Sequence, residues 1–120
     1  MSVIREEDFL KSYDPLQIIF AEGDQGDKMY IVQEGSVDIR KENDGEILHL
    51  NTLTKGEIFG EMALVEDLAR SATAAAGDNG ASVMEVDSSL FIYLVSQQPV
   101  FALVVLKTMS QRLRKQSERH

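Results

Sequence analysis

The sequence predicts a mainly β domain followed by two C-terminal helices, and three observations carry that expectation. Turn-forming clusters recur at roughly ten-residue spacing as far as residue 87. Short runs rich in β-branched and aromatic residues fill the gaps between them. Beyond Asp87 the turn clusters stop and the apolar residues take up helical spacing.

The elements follow in order. "AEGDQGD" (21–27), "QEGS" (33–36), "ENDGE" (42–46), "TKGE" (54–57) and "GDNGA" (77–81) are the turn signals. Between them, "LQIIF" (16–20), "KMYIV" (28–32), "SVDIRK" (36–41), "EILHLNTL" (46–53), "SATAAA" (71–76) and "ASVMEV" (81–86) read as strands. Asn43-Asp44-Gly45 and Asp78-Asn79-Gly80 read as tight hairpin loops, because Asn-Gly and Asp-Gly tolerate positive φ. Many short, evenly spaced strands indicate a sandwich, a jelly roll or a small barrel. Periodicity alone leaves a β-meander without a pocket open.

The first helix opens at an N-cap residue, Asp87 or Ser88, and concentrates its apolar residues between Leu90 and Val95. Pro99 suits the first turn of the second helix. There Phe101, Val105, Met109 and Leu113 repeat every four residues, and 100–106 holds no polar residue. A helix apolar almost all round needs more than one covering surface. Leu106, Met109 and Leu113 fit a short a/d seam, so two readings stand level: a helix lying across its own domain and a homodimer seam over 99–119.

Composition narrows the function. At 120 residues the chain is long enough for one self-sufficient domain, and its net charge of −8 argues against a broad basic face for nucleic acid. The charge is uneven: residues 1–99 carry 7 Lys/Arg against 19 Asp/Glu, whereas residues 100–120 carry 5 against 1. The chain has no cysteine, which excludes disulfides, iron–sulfur clusters and thiol catalysis. No apolar run reaches the ~18 residues of a membrane span, and residues 1–20 lack a secretory pattern. A cytoplasmic location, away from the membrane, is the default expectation.

One basic residue stands apart. Arg70 has no Lys or Arg neighbour between Lys55 and Lys107, and small residues flank it, Ala69 and Ser71-Ala72-Thr73. Upstream, "FGEMAL" offers Gly60 for a close backbone approach and Glu61 to begin a helical turn. Free N–H groups at such a turn and an isolated guanidinium together suit one phosphate. Glu61 remains as an acceptor for sugar hydroxyls. An internal Arg70–Glu salt bridge explains the same residues equally well on chemistry alone.

These residues resemble the cyclic nucleotide-binding domain family, of the catabolite activator and kinase A regulatory subunit type. Its phosphate-binding cassette, F-G-E-x-A-L, a short loop, then R-[ST/A]-A-[TS], matches Phe59-Gly60-Glu61-Met62-Ala63-Leu64 and Arg70-Ser71-Ala72-Thr73. The nine-residue step from Glu61 to Arg70 resembles the kinase branch. "FAEGDQGDKMYIVQEGSVDI" (20–39) resembles the family's E-G-D-x-(G/A)-D-x-x-Y-x-(I/V)-x-x-G-x-V signature, and the terminal helices resemble its B and C helices. The resemblance runs from about Asp14 to Glu118.

The resemblance implies a double-stranded β-helix (jelly-roll) barrel over about 14–87, with the cassette at 56–73, then two α-helices over about 88–119. It also implies a regulatory, non-enzymatic domain that binds a cyclic purine nucleotide and no other cofactor. Arg70 would pair with the exocyclic phosphate oxygens, and Ser71 would add a hydroxyl to phosphate or base. Glu61 would accept from the ribose 2′-OH, with the Gly60 backbone on the same sugar. Backbone N–H groups of Met62, Ala63 and Ala72 would complete the cradle. Leu50, Leu53 and Val32 would wall the purine. Leu113, Gln116 and Ser117 would reach the base from the second helix. Gly23, Gly26, Gly35 and Gly56 read as turn geometry rather than ligand contacts. Ser71 is compatible with either purine; the expectation is cAMP, with cGMP the alternative.

Ala69 and Ala74 depart from the family's common Pro and β-branched residue without removing the site. The helices that often precede the barrel and the helix-turn-helix domain of transcription-factor relatives are both expected to be absent, so this chain is expected not to bind DNA directly. Either a stand-alone sensor or part of a longer protein with further domains fits. A metal-dependent β-barrel oxygenase would need clustered histidines, and His49 and His120 are far apart. The surviving rival is a ligand-free scaffold of the same fold acting in dimerisation or docking.

Overall fold

The computed structural model describes residues 6–66 and 68–118, with the side chains of residues 6, 7 and 116–118 outside the description. The chain falls into two compact units that divide between Asp87 and Ser88. The division coincides with the change of apolar period at that point.

The first unit is antiparallel β. A 3₁₀ turn, Glu6–Phe9, leads into β1 (Leu10–Tyr13), followed by β2 (Ile18–Phe20) and a long β3 (Lys28–Asn43). Next come β4 (Glu46–Leu53), β5 (Ile58–Phe59), a second 3₁₀ turn (Glu61–Leu64) and a long β6 (Thr73–Asp87). The main path runs β1-β6-β3-β4, while β2 pairs with β6 and β5 with β3. This is the jelly-roll arrangement expected, with β6 and β3 as its spine.

Two predicted turns are not turns. "QEGS" lies inside β3 and "GDNGA" inside β6, so four predicted strands form two continuous ones. The reason is long-range pairing. Register shifts between Val32 and Glu34 and between Gly35 and Val37 absorb the extra residues as bulges, and the ladder to β6 then resumes in the same direction. Gly35 at φ 76° and Gly80 at φ 81° supply the left-handed backbone that these bulges need. Asp78-Asn79-Gly80 is therefore no hairpin. The other loop is one: β3 ends at Asn43 and β4 starts at Glu46, with Asp44 at φ 53° and Gly45 at φ 82°. The short strands β1 and β5 carry no turn-bounded apolar run and lay outside the sequence expectation.

The core of this unit collects Val32 and Val37 from β3, Leu53 from β4, Phe59 from β5 and Ala74, Ala76 and Val83 from β6. The alanines let aromatic neighbours pack closely: Tyr30 stacks on Phe59 at 4.9 Å, and Phe20 tilts against both rings.

The second unit is α1 (Ser88–Gln97) and α2 (Val100–Glu118). The Gln98 and Pro99 carbonyls accept from the N–H groups of Phe101 and Ala102 and start α2 just after the proline. Phe91 and Phe101 meet at 5.6 Å. Val105 is buried, whereas Leu103, Leu106 and Leu113 are exposed, so Leu113 departs from the stripe predicted with Phe101 and Val105. Among the described residues no helix is long and apolar enough to cross a membrane.

Candidate functional site

The strand ends and loops of the β unit converge on Arg70. Its backbone is fixed first: the Arg70 N–H donates to the Asp24 carbonyl at 2.7 Å, and the Gly23 N–H donates to the Arg70 carbonyl at 2.8 Å. This reciprocal pair ties the chain just ahead of β6 to the β2–β3 connection. Thr73 adds a third tie, its hydroxyl oxygen accepting from the Glu22 N–H at 2.9 Å.

The side chain is then held on several sides. Nη1 donates to the Gly60 carbonyl at 3.1 Å and Nη2 to the Lys28 carbonyl at 2.8 Å. Both bonds end on main-chain oxygens rather than on a carboxylate. The guanidinium carbon lies 4.1 Å from the Phe20 ring centroid and 5.7 Å from that of Tyr30. Arg70 is 8% exposed, and its Nε–H is buried with no hydrogen-bond partner among the described residues. A buried donor without a partner is costly unless something accepts from it.

Gly60 explains how a carbonyl comes to face the guanidinium. At φ 73° it takes the left-handed conformation just before the 3₁₀ turn, and its carbonyl accepts from both Arg70 and the Ala63 N–H, the latter at 3.2 Å. A Cβ there would come within 2.8 Å of Nη1. The next residue, Glu61, is buried at 2% exposure. The same short turn thus carries a buried carboxylate and faces a buried guanidinium.

The remaining expected residues are placed as follows. Met62 and Ser71 are exposed, and Ala63 and Ala72 are half-buried, all beside Gly60 or Arg70 in the chain. Val32 and Leu53 lie fully inside the core, and Leu50 is exposed on β4. Leu113 is exposed on α2. The side chains of Gln116 and Ser117 lie outside the described residues. His49 is an exposed β4 residue whose Nε2 lies 2.8 Å from the Thr52 hydroxyl. Desolvation raises the Tyr30 hydroxyl pKa above the ordinary tyrosine value, with Arg70 opposing the rise.

Sequence reasoning did not find three contributors: the Phe20 ring, the Lys28 carbonyl and Gly26. Gly23 and Gly56 are turn glycines with φ of 92° and 90°, and Gly35, at φ 76°, belongs to the bulge within β3. Gly26 is different. Its φ lies outside the left-handed region, and a Cβ built on it would overlap Nε, Cζ and Nη2 of Arg70. It is a close-approach glycine, and one sequence gives no signal to tell the two kinds apart.

Comparison with known proteins adds the relatives. The Cyclic nucleotide-binding domain family matches residues 10–98. A cAMP-dependent protein kinase type II regulatory subunit from Drosophila melanogaster is 41% identical over 63 residues, 52% of this chain and 17% of that subunit. The Thermus thermophilus Catabolite Activator Protein superposes with a TM-score of 0.82 at 28% identity, covering 92% of this chain and 52% of that one. EAL enzyme Bd1971 is 34% identical in its cAMP-bound form, with a TM-score of 0.67 over 90% of this chain and 29% of the enzyme. The same enzyme in its cGMP-bound form matches with a TM-score of 0.68. The chain spans about half or less of each of these relatives.

Proposed function

This chain belongs to the cyclic nucleotide-binding domain family, and on that premise we propose that it is a sensor for a cyclic purine nucleotide, with cAMP preferred, that relays binding through α1 and α2. The observation that carries the reading is the buried Arg70 guanidinium, whose Nε donor has no partner among the described residues. A cyclic phosphate carries one negative charge spread over two exocyclic oxygens, which matches the donors that a guanidinium offers along one edge. The carbonyls of Gly60 and Lys28 fix the guanidinium in advance, so little side-chain freedom is lost on binding.

In this reading Glu61 accepts from the ribose 2′-OH, next to the Gly60 backbone. Ser71, exposed beside Arg70, meets phosphate or base. The N–H groups of Met62, Ala63 and Ala72 line the phosphate, and the Ala63 N–H must exchange its bond to Gly60 to do so. Of the residues expected as apolar wall, Leu50 is exposed and free to meet the purine, whereas Val32 and Leu53 are core residues closed off from a ligand. In the same reading the family resemblance assigns base contacts to Leu113 and Ser117 of α2. The sensor acts in the cytoplasm as a regulatory rather than catalytic unit, and α2 supplies a homodimer contact.

Thermal unfolding with cAMP, cGMP and AMP tests the reading. A ligand at ~100 times its dissociation constant adds about 2.7 kcal/mol, a shift on the order of 10 °C for a domain of this size. A larger shift with cAMP than with cGMP, and none with AMP, is the expected result. Flat curves for all three would establish the ligand-free scaffold instead.

A further inference from the structure

We propose that a polar pin across β3 and β4, Asp38–Thr52–His49, positions Leu50 for contact with the purine; the inference rests on the cyclic-nucleotide reading above. The β3–β4 ladder is interrupted at one point. Ile39 pairs with Asn51 and Arg40 with His49, which leaves Leu50 as the extra residue of a bulge. Leu50 is 41% exposed, the accessible member of the expected apolar wall. Ile39 packs against the core, so its neighbour Asp38, and Thr52 paired with Asp38, belong to the opposite face. There the Thr52 hydroxyl donates to Asp38 Oδ1 at 2.8 Å. His49 Nε2 lies 2.8 Å from the same hydroxyl and 3.5 Å from Asp38 Oδ1. The single hydroxyl hydrogen goes to the carboxylate, so His49 Nε2 carries a proton and donates to Thr52.

The pin and the bulge require each other. In a regular strand, residues three apart point to opposite faces, yet His49 and Thr52 meet on one side. Only the extra residue between them makes that possible. A regular ladder here would part His49 from Thr52 and return Leu50 to a paired position. The pin therefore favours the bulged register, and with it the direction of the Leu50 side chain. Its bonds join exposed or half-exposed groups, so each adds little to the stability of the fold. Apolar contact with a flat purine, by contrast, depends on how much of the leucine reaches it, and a misdirected side chain buries less area. Asp38, Thr52 and His49 are positioning residues: they act through Leu50 and do not touch the nucleotide.

The test combines two readouts on the whole chain, cAMP affinity and the Leu50 methyl signals. Thr52→Val keeps the branched shape and the strand preference while removing the hydroxyl that joins the pin. In calorimetric titration it should weaken cAMP binding ~2- to 10-fold. His49→Ala, which removes one bond of the pin, should act in the same direction with a smaller step. Thr52→Ser and Asp38→Asn should stay close to the parent, because each retains the bonding atoms. In ¹H–¹³C spectra, the ring current of bound cAMP should shift the Leu50 methyl signals, and Thr52→Val should reduce that shift. In a Leu50→Ala background, Thr52→Val should cause no further loss, which a merely structural role of the pin would not predict. Unchanged melting temperatures check that the variants fold. If Leu50→Ala weakens cAMP binding but affinity and methyl shift are indifferent to Thr52→Val and His49→Ala, the pin is wrong while the nucleotide reading stands. If cAMP binds but neither its affinity nor the methyl signals depend on Leu50, that residue meets no purine and the proposal is wrong again. If neither cAMP nor cGMP binds the parent chain, the nucleotide reading falls and the proposal falls with it.

Discussion

Gly35 and Gly80 meet main chain to main chain across the β3–β6 ladder, so closely that a side chain on Gly35 would strike the Gly80 carbonyl oxygen. Both residues also take positive φ. Two sequence-distant glycines thus let two bulged strands lie against each other where a reversal of the chain was expected.

Gly35→Ala should therefore destabilise the domain by ~2–4 kcal/mol, combining a left-handed backbone penalty with a main-chain collision. Gly45→Ala is the control. It has φ 82° but open space around its missing Cβ, so only the backbone part, ~1–2 kcal/mol, should appear. Urea unfolding of the two variants side by side measures the difference, and equal losses would show that the close approach contributes nothing.

Arg70→Ala should weaken cyclic nucleotide binding by at least ~2–3 kcal/mol, about 30- to 150-fold, because a charge-assisted contact to the phosphate is removed. Arg70→Lys should recover only part, since an ammonium reproduces neither the paired carbonyl bonds nor the stacking on Phe20. Calorimetric titration of both variants checks the order.

Glu61→Ala should cost ~1–3 kcal/mol of affinity for cAMP. The same substitution should cost almost nothing for 2′-deoxy-cAMP, which lacks the hydroxyl that Glu61 is proposed to hold. A loss of equal size with both ligands would place Glu61 elsewhere in the mechanism.

Saturating nucleotide should change hydrogen exchange within residues 88–118. A ligand shifts such an equilibrium only by its differential affinity for the two states, typically ~1–3 kcal/mol of coupling. Exchange in α1 and α2 indifferent to ligand would remove the relay from the proposal.

Alkaline pH should unfold this domain through its buried tyrosines. Burial raises the Tyr13 and Tyr30 hydroxyl pKa values above 10, with desolvation the largest cause in each. The stability these neutral phenols contribute is intact below pH 10 and is lost as pH climbs from 10 through the folded-state values, because the unfolded chain releases the protons first. Each group can steepen the fall by at most ~1.4 kcal/mol per pH unit. Tyr30→Phe should flatten the stability curve above pH 10 and leave its shape near pH 7 unchanged.

Much of this was legible in the sequence, and the exceptions have a common cause. The Asn43–Gly45 turn, the helix start after Asp87 and the Gly60–Glu61 turn all rest on preferences a few residues long. The continuity of β3 and β6 was not legible, because "QEGS" and "GDNGA" have the composition of turns and only the ladder between them turns that composition into bulges. β1 and β5 are strands because β6 and β3 offer them edges, as their own residues give no comparable signal.

The site divides along the same line. By itself the sequence determined that Arg70 is an isolated cation among small residues, spaced from Glu61 and Gly60 in a recognisable pattern, since those are facts of order along the chain. Only the tertiary structure decided that the guanidinium is buried, that its partners are the carbonyls of Gly60 and Lys28, and that Phe20 and Gly26 enclose it. Lys28 lies 42 residues away in the chain, and its contribution is a main-chain oxygen that any residue would present. What brings it there is strand register, which is set by how whole strands bury their apolar faces and not by the identity of the residue at the contact.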